Sequence, residues 1–296
     1  MAKDRLVVSI DADDIAENIA KEIGAEIKIA KRTTFPDSET KITIPGSFRG
    51  KKVLLVARLF PQQATKTIEA QLTSEYIIDR GGSVEWVVPY IPYARQDRSF
   101  LKGEIPSIIE LSYVLRKIGI EKVYTIDIHS KRGASNAALP IVSISATCAM
   151  ASFAKENIGK GTVVVAPDSG AKGRALEFAK EAEAKKAIIL DKERDRRTGK
   201  VATQTIYEDL SKDRVVIVDD MISTGSTMVN AINAIGKAKE IHVMAVHGLL
   251  VEKADKRIID AGAKSIITTN TILNPYARID ISSLFANTLR QEAGRN

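Results

Sequence analysis

One cysteine, Cys148, stands among 296 residues. A lone thiol leaves no internal disulfide and no multi-cysteine metal site, and it suits a reducing compartment. Aromatic residues are scarce, at 5% of the chain. No basic segment is interleaved with them, and no nucleic-acid-binding module is spelled out. No apolar run approaches the roughly 18 residues of a membrane helix. The opening Met-Ala-Lys-Asp-Arg-Leu-Val-Val enters a strand-like run without a signal-peptide core. A cytoplasmic protein with no membrane and no nucleic-acid partner is therefore expected. The net charge of +7 could serve polyanions, but 37 acids among 44 bases also describe a mixed, solvated surface.

What is present concentrates in residues 215–227, Val-Val-Ile-Val-Asp-Asp-Met-Ile-Ser-Thr-Gly-Ser-Thr. The four β-branched residues read as a strand buried on both faces. Asp219 and Asp220 follow at its carboxyl end. A loop of small hydroxyl residues around Gly225 comes next, then a helical run from Met228. Open α/β sheets bind ligands at the carboxyl ends of their strands. The backbone N–H groups of such a loop, backed by a helix N-terminus, suit one phosphate. The hydroxyls of Ser223, Thr224, Ser226 and Thr227 add donors. The carboxylates repel phosphate, so they suit sugar hydroxyls, directly or through a metal. The segment reads as a grip on a phosphorylated sugar.

The same alternation of strand and helix recurs along the chain. Strand-like runs occur at 6–10, 26–29, 53–56, 84–88 and 123–126, then at 163–166, 187–190, 215–218, 241–246 and 265–268. Helix formers at helical spacing fill 67–80, 107–117, 174–184 and 227–238. Alternating elements give a parallel sheet covered on both faces. Five strands per half predict two similar α/β domains joined near residues 140–150, as expected for a chain of this length. In the first half, the third strand is followed by Ala57, Arg58 and Leu-Phe-Pro-Gln-Gln instead of acids and a glycine loop. The halves read as relatives of which only the second kept the sugar-phosphate grip.

Five further segments carry chemistry, three of them with a plainer alternative. After the first strand of the second half, Asp168-Ser169-Gly170-Ala171 is a ligand-facing turn or a helix cap. His129 follows the last strand of the first half and is a metal ligand, an acid/base or a surface histidine. The charge-dense segment 191–200 is a solvated hairpin or loop, or a cationic lid over polyphosphate. Segments 92–100 and 35–39 offer Arg95 for phosphate or stacking, and an exposed Phe35 beside Asp37 and Glu39 for a base.

Together and in order, these residues resemble the ribose-phosphate pyrophosphokinase family over nearly the whole chain. The 219–227 segment is similar to the ribose-5-phosphate motif shared with type I phosphoribosyltransferases. Tyr93-Ala94-Arg95-Gln96-Asp97-Arg98, residues 35–39, His129 and Asp191-Lys192-Glu193-Arg194 are more specific to the synthetase. The resemblance implies an α/β protein of two phosphoribosyltransferase-like domains, each with a parallel five-stranded sheet flanked by helices. They would span 1–143, lacking the sugar-phosphate motif, and 144–275, carrying it, with a tail at 276–296 packing back on the first domain. It implies transfer of diphosphate from ATP to the anomeric hydroxyl of ribose 5-phosphate, giving 5-phospho-α-D-ribose 1-diphosphate and AMP for nucleotide biosynthesis.

The implied roles follow residue by residue. Phe35, Asp37, Ser38, Glu39, Arg95 and Gln96 would bind ATP, with Phe35 donated by a neighbouring subunit of a homo-oligomer, at least a dimer. His129 and Asp168 would hold Mg2+. Asp219 and Asp220 would bind the ribose hydroxyls. Ser223, Thr224, Gly225, Ser226 and Thr227 would take the 5-phosphate, and Arg194 would reach the same substrate. Lys192 and Arg194 would be catalytic, stabilising the transferring group. Ser38 stands where the family usually has Gly. The segments after His129 and Asp168 also depart from the family pattern; because Ser38 and the segment after His129 fall where family members make subunit or allosteric contacts, neither a hexamer nor inhibition by ADP is part of the expectation.

Overall fold

The structure, a computed structural model, describes residues 5–190, 192–194, 201–203 and 208–294, with the backbone alone for 192–194 and 201–203. The chain divides into two compact units: Met1–Ile144 with Ile281–Asn296, and Ser145–Asp280.

The first unit is built on β1 (Arg5–Ile10), α1 (Asp13–Ile23) and β2 (Glu26–Ile29). The hairpin β3 (Lys31–Thr34) and β4 (Thr40–Thr43) follows. Next come β5 (Lys52–Ala57), α2 (Gln63–Ile78), β6 (Ser83–Val87), α3 (Ser107–Ile118), β7 (Ile120–Ile126), α4 (Lys131–Ser135) and β8 (Ile141–Ile144). The second unit holds α5 (Thr147–Asn157), β9 (Val163–Ala166), α6 (Lys172–Glu181) and β10 (Lys186–Ile189). A second hairpin, β11 (Lys192–Arg194) and β12 (Val201–Thr203), precedes β13 (Leu210–Ile222), α7 (Ser226–Ile235), β14 (Ala238–Gly248), α8 (Ala254–Asp260), β15 (Ser265–Thr269) and β16 (Ala277–Ile279). The last helix, α9 (Ser282–Ala293), belongs to the first unit.

The sheet orders are β2-β1-β5-β6-β7-β8 and β10-β9-β13-β14-β15-β16, parallel throughout. They are one topology written twice. Each has an antiparallel hairpin inserted between its second and third sheet strands. The α/β class with two parallel sheets is as the sequence implies. Each sheet has six strands, where five were expected. The extra strands, β8 and β16, are short edge strands of four and three residues. Both are short and lie at the far edge of their sheets, with one neighbour each, and neither has the long β-branched run of a central strand.

Central strands are buried along nearly their whole length. Residues 53–57 and 215–218 lie within the core. Each such aliphatic side chain contributes roughly 1.5–3 kcal/mol by leaving water. The single tryptophan, Trp86, is fully buried, and its Nε1 donates to Ser74 Oγ at 2.8 Å. Glu292 of α9 accepts from Tyr124 Oη and from Lys122 Nζ on β7, and Arg5 of β1 donates to the Leu289 carbonyl. Among the described residues no helix is long and apolar enough to cross a membrane.

Candidate active site

In each sheet the chain turns outward in opposite directions from two neighbouring strands, β1 and β5 or β9 and β13. Such a switch point opens a crevice at the strands' carboxyl ends. In the second unit, β13 pairs with β9 from Val215 to Ile217 but with β14 as far as Ile222. Beyond Ile217, β13 runs on without its β9 neighbour. Asp219 and Asp220 fall on this overhang, so they lie inside a strand longer than its apolar core. They are half-buried. Asp219 Oδ1 accepts from its neighbour's backbone N–H at 2.8 Å.

Asp168 comes from the turn after β9. Its Oδ1 caps the short 3-10 turn Ser169–Ala171, accepting from Gly170 N–H at 3.0 Å. The capping alternative is thus realised. The same carboxylate also acts on Asp219. Burial, followed by the charges of Asp220 and Asp168, pushes Asp219 up to about 7. The crevice holds more negative charge than it can comfortably ionise. Hydroxyl donors or a cation would relieve it.

Gly225 takes the left-handed conformation, φ 80°, immediately before α7. A Cβ there would stand 3.2 Å from both Ala254 Cβ and Ile258 Cδ1, so the position needs glycine for both conformation and space. No side chain caps α7. Its first N–H groups have no intrahelical partner and form, with the hydroxyls of Ser223, Thr224, Ser226 and Thr227, a donor-rich pocket for an anion. Thr224 Oγ1 and Ser226 Oγ lie 3.3 Å apart.

The equivalent crevice of the first unit is closed. Arg58 is buried and grips Asp14 through both guanidinium nitrogens, at 2.6 and 2.7 Å. Burial alone would raise Asp14, but the hydrogen bonds and charge of Arg58 prevail and hold it below the usual carboxylate range. Gln62 occupies the place of Gly225, left-handed at φ 67° before α2. The glycine is gone but the backbone conformation it served persists.

The remaining residues of the first unit gather elsewhere. The loop after β6 carries Arg95 and Gln96, both exposed, and the loop after β7 carries the exposed His129. The two loops are stitched together. Ser130 Oγ donates to Asp97 Oδ2 at 2.6 Å and accepts from Gly133 N–H at 2.9 Å, capping α4. The Ser130 hydrogen bond, then the Arg98 charge, lowers the pKa of Asp97. Ser107 Oγ donates to Gln96 Oε1 at 2.5 Å and fixes that amide. Asp97 was quoted only within the 93–98 segment, and neither it nor Ser130 was given a role from sequence. The cap position of Ser130 was the available signal.

Phe35, Asp37, Ser38 and Glu39 form the exposed tip between β3 and β4. Phe35 and Glu39 close the tip backbone at 2.8 Å, and Ser38 is left-handed at φ 75°. That conformation explains why a glycine would serve there. Behind the tip, a groove of about 590 Å³ runs between the hairpin and α2. The backbones of Lys192 and Arg194 lie in β11, paired with β12. Their side chains, and residues 195–200 of the same segment, lie outside the described residues. Among the described residues no group of three His, Cys, Asp or Glu is arranged to hold a metal.

The repeated sheet, with acids and a Ser/Thr/Gly loop at one switch point, defines a phosphoribosyltransferase-type protein. A family model for the phosphoribosyl transferase domain matches residues 143–279, and one for the N-terminal domain of ribose phosphate pyrophosphokinase matches residues 5–119. The chain is 33% identical over 271 residues to the ribose-phosphate pyrophosphokinase of Sulfurisphaera tokodaii, covering 90% of this chain and 92% of that one. It is 31% identical over 293 residues to that of Methanobrevibacter smithii, covering 94% and 97%. In fold it is similar to the crystal structure of phosphoribosylpyrophosphate synthetase from Mycobacterium smegmatis, with TM-score 0.85, 23% identity, and 99% and 100% of the two chains covered. The chain belongs to the ribose-phosphate pyrophosphokinase family.

Proposed function

We propose that the protein transfers diphosphate from ATP to the anomeric hydroxyl of ribose 5-phosphate, releasing AMP. The observation that carries the reading is the crevice between β9 and β13. It pairs a surplus of carboxylate with an uncapped helix N-terminus, as a sugar with one phosphate requires. Family membership supports ATP as the second substrate. Arg95, Gln96 and the Phe35–Glu39 hairpin tip are proposed to bind ATP.

Asp219 and Asp220 would accept from the ribose hydroxyls, and the 223–227 loop would hold the 5-phosphate. The anomeric oxygen attacks the β-phosphorus in line. The bond to the oxygen bridging the α- and β-phosphorus atoms breaks, and AMP leaves. Catalysis of this kind is mostly positioning and charge stabilisation. Lys192 and Arg194 are the proposed cations for the transferring group.

The donor set fits magnesium. Asp168 offers hard oxygens, and the upward push on Asp219, to which the Asp168 charge contributes, marks a need for positive charge beside them. Magnesium is commonly held by one or two carboxylates plus substrate phosphates and water, without a dedicated protein cage. His129 and Asp168 are the ligands the family resemblance proposes, and bound magnesium would neutralise charge on the phosphate oxygens. The protein is further proposed to act in the cytoplasm as a homo-oligomer, at least a dimer.

The test is AMP release from ATP and magnesium with and without ribose 5-phosphate. AMP formation that depends on the sugar supports the reading. Absence of that dependence, with activity on the product sugar and a free base instead, would make the protein a phosphoribosyltransferase.

A further inference from the structure

The loop that holds the proposed 5-phosphate is backed by segment 249–258, to which neither the sequence nor the reaction assigned a role. Two hydrogen bonds tie the segments along their backbones: Leu250 N–H to the Ile222 carbonyl at 3.0 Å, and Val251 N–H to the Ser223 carbonyl at 3.1 Å. Leu250, Glu252 and Lys253 are left-handed, with φ of 48°, 55° and 59°. Non-glycine residues stay in that region only where surrounding structure over-determines them. From α8, Ala254 and Ile258 press against Gly225. Arg257, also on α8, donates from Nη2 to the Thr224 carbonyl at 2.6 Å.

That last contact sets a direction. The C=O of Thr224 and the N–H of Gly225 belong to one planar, trans peptide unit and point opposite ways. Drawing the carbonyl toward α8 turns the N–H away from α8. The turned carbonyl also removes a partial negative charge from the anion's side. We propose that Arg257 is a positioning residue that orients the Thr224–Gly225 peptide so that Gly225 N–H donates to the 5-phosphate. The proposal rests on the ribose 5-phosphate reading above.

The experiment uses the full chain, with ribose 5-phosphate binding followed by calorimetry and both KM values taken from AMP release. Arg257→Ala is expected to weaken ribose 5-phosphate about tenfold or more, the scale of one lost hydrogen bond to a charged group. The KM for ATP should stay within about twofold, as befits a group remote from the nucleotide. Arg257→Lys keeps a cationic donor and should retain affinity within roughly threefold. Glu252, whose carboxylate stands 3.8 Å from the same guanidinium, is the control, and Glu252→Gln should leave affinity unchanged. The Arg257 side chain is 44% exposed and fills no core position, so melting temperatures of the variants should stay close to the parent.

Unchanged ribose 5-phosphate affinity in Arg257→Ala, or an equal rise in both KM values, overturns the proposal. So does an effect of Glu252→Gln as large as that of Arg257→Ala. Parent protein that binds no ribose 5-phosphate overturns the functional reading itself, and the proposal with it.

Discussion

Folding keeps a proton on Asp219 over a range of pH in which the unfolded chain has already released it. The carboxyl titrates near 3.8 when unfolded and near 7 in the folded crevice. Between those values the folded state binds more protons, so its stability falls as pH rises, and above 7 the loss is complete. Asp219→Asn removes the charge but keeps an oxygen for the Asp220 N–H. Without divalent ion, the variant should gain about 2–4 kcal/mol at pH 8 and nothing at pH 4. Thermal melts of parent and variant at the two pH values check this, and equal shifts at both would refute the account. Lys192 makes the opposite case, a charge placed for turnover. Lys192→Ala should lower kcat by about 10²–10³-fold with KM nearly unchanged, the scale of one lost transition-state donor. Steady-state kinetics decide it, and near-normal turnover would remove Lys192 from the chemistry. The acids of the crevice were legible in sequence because they interrupt a run of buried β-branched residues. Arg257 was not. A cation on a helix face reads as solvated, and only its distance to a loop carbonyl gives it a role.

At the scale of elements, the β13–α7 turn depends on one residue without a side chain. Gly225→Ala would put a methyl 3.2 Å from Ala254 Cβ and Ile258 Cδ1, and 3.3 Å from the Ala254 carbonyl, at a positive φ. It should cost about 1–2 kcal/mol of stability, the range for a strained left-handed residue. It should also raise the KM for ribose 5-phosphate, because the turn cannot move without moving its N–H groups. Denaturant midpoints together with the two KM values check both effects. The ten strand-like runs all became strands, eight of them central ones, which need β-branched residues on both faces. The elements missed were those with little to bury. The edge strands β8 and β16 are short, and the Lys-Arg-Thr-Thr and Thr-Lys-Ile-Thr arms of the first hairpin are mostly polar. The overhang of β13 was missed because paired aspartates seldom belong to a strand interior.

For the whole molecule, the first unit carries a surface that a lone chain would not favour. Ile68, Leu72 and Tyr76 stand one turn apart on α2 and are 55%, 67% and 42% exposed, beside Phe35 at 42%. Exposed apolar rows are favoured at interaction sites, and this one is consistent with the proposed oligomer in which the hairpin tip serves a neighbour's ATP site. Phe35→Ala and Lys192→Ala chains should then each be nearly inactive alone. Mixed and re-equilibrated, they should recover about a quarter of parental activity, since half the dimers are hybrids with one complete site of two. AMP release before and after mixing measures this, and no recovery would place Phe35 in its own subunit's site. The closed crevice of the first unit has a further consequence. The internal ion pair of Arg58 and Asp14 does there what a ligand would do in the other copy. One topology thus has a switch point satisfied from within in the first unit and, on the proposed function, a switch point satisfied by ligand in the second. Ribose 5-phosphate would therefore tighten the second sheet's crevice, while the first sheet's switch point would change little when that sugar binds.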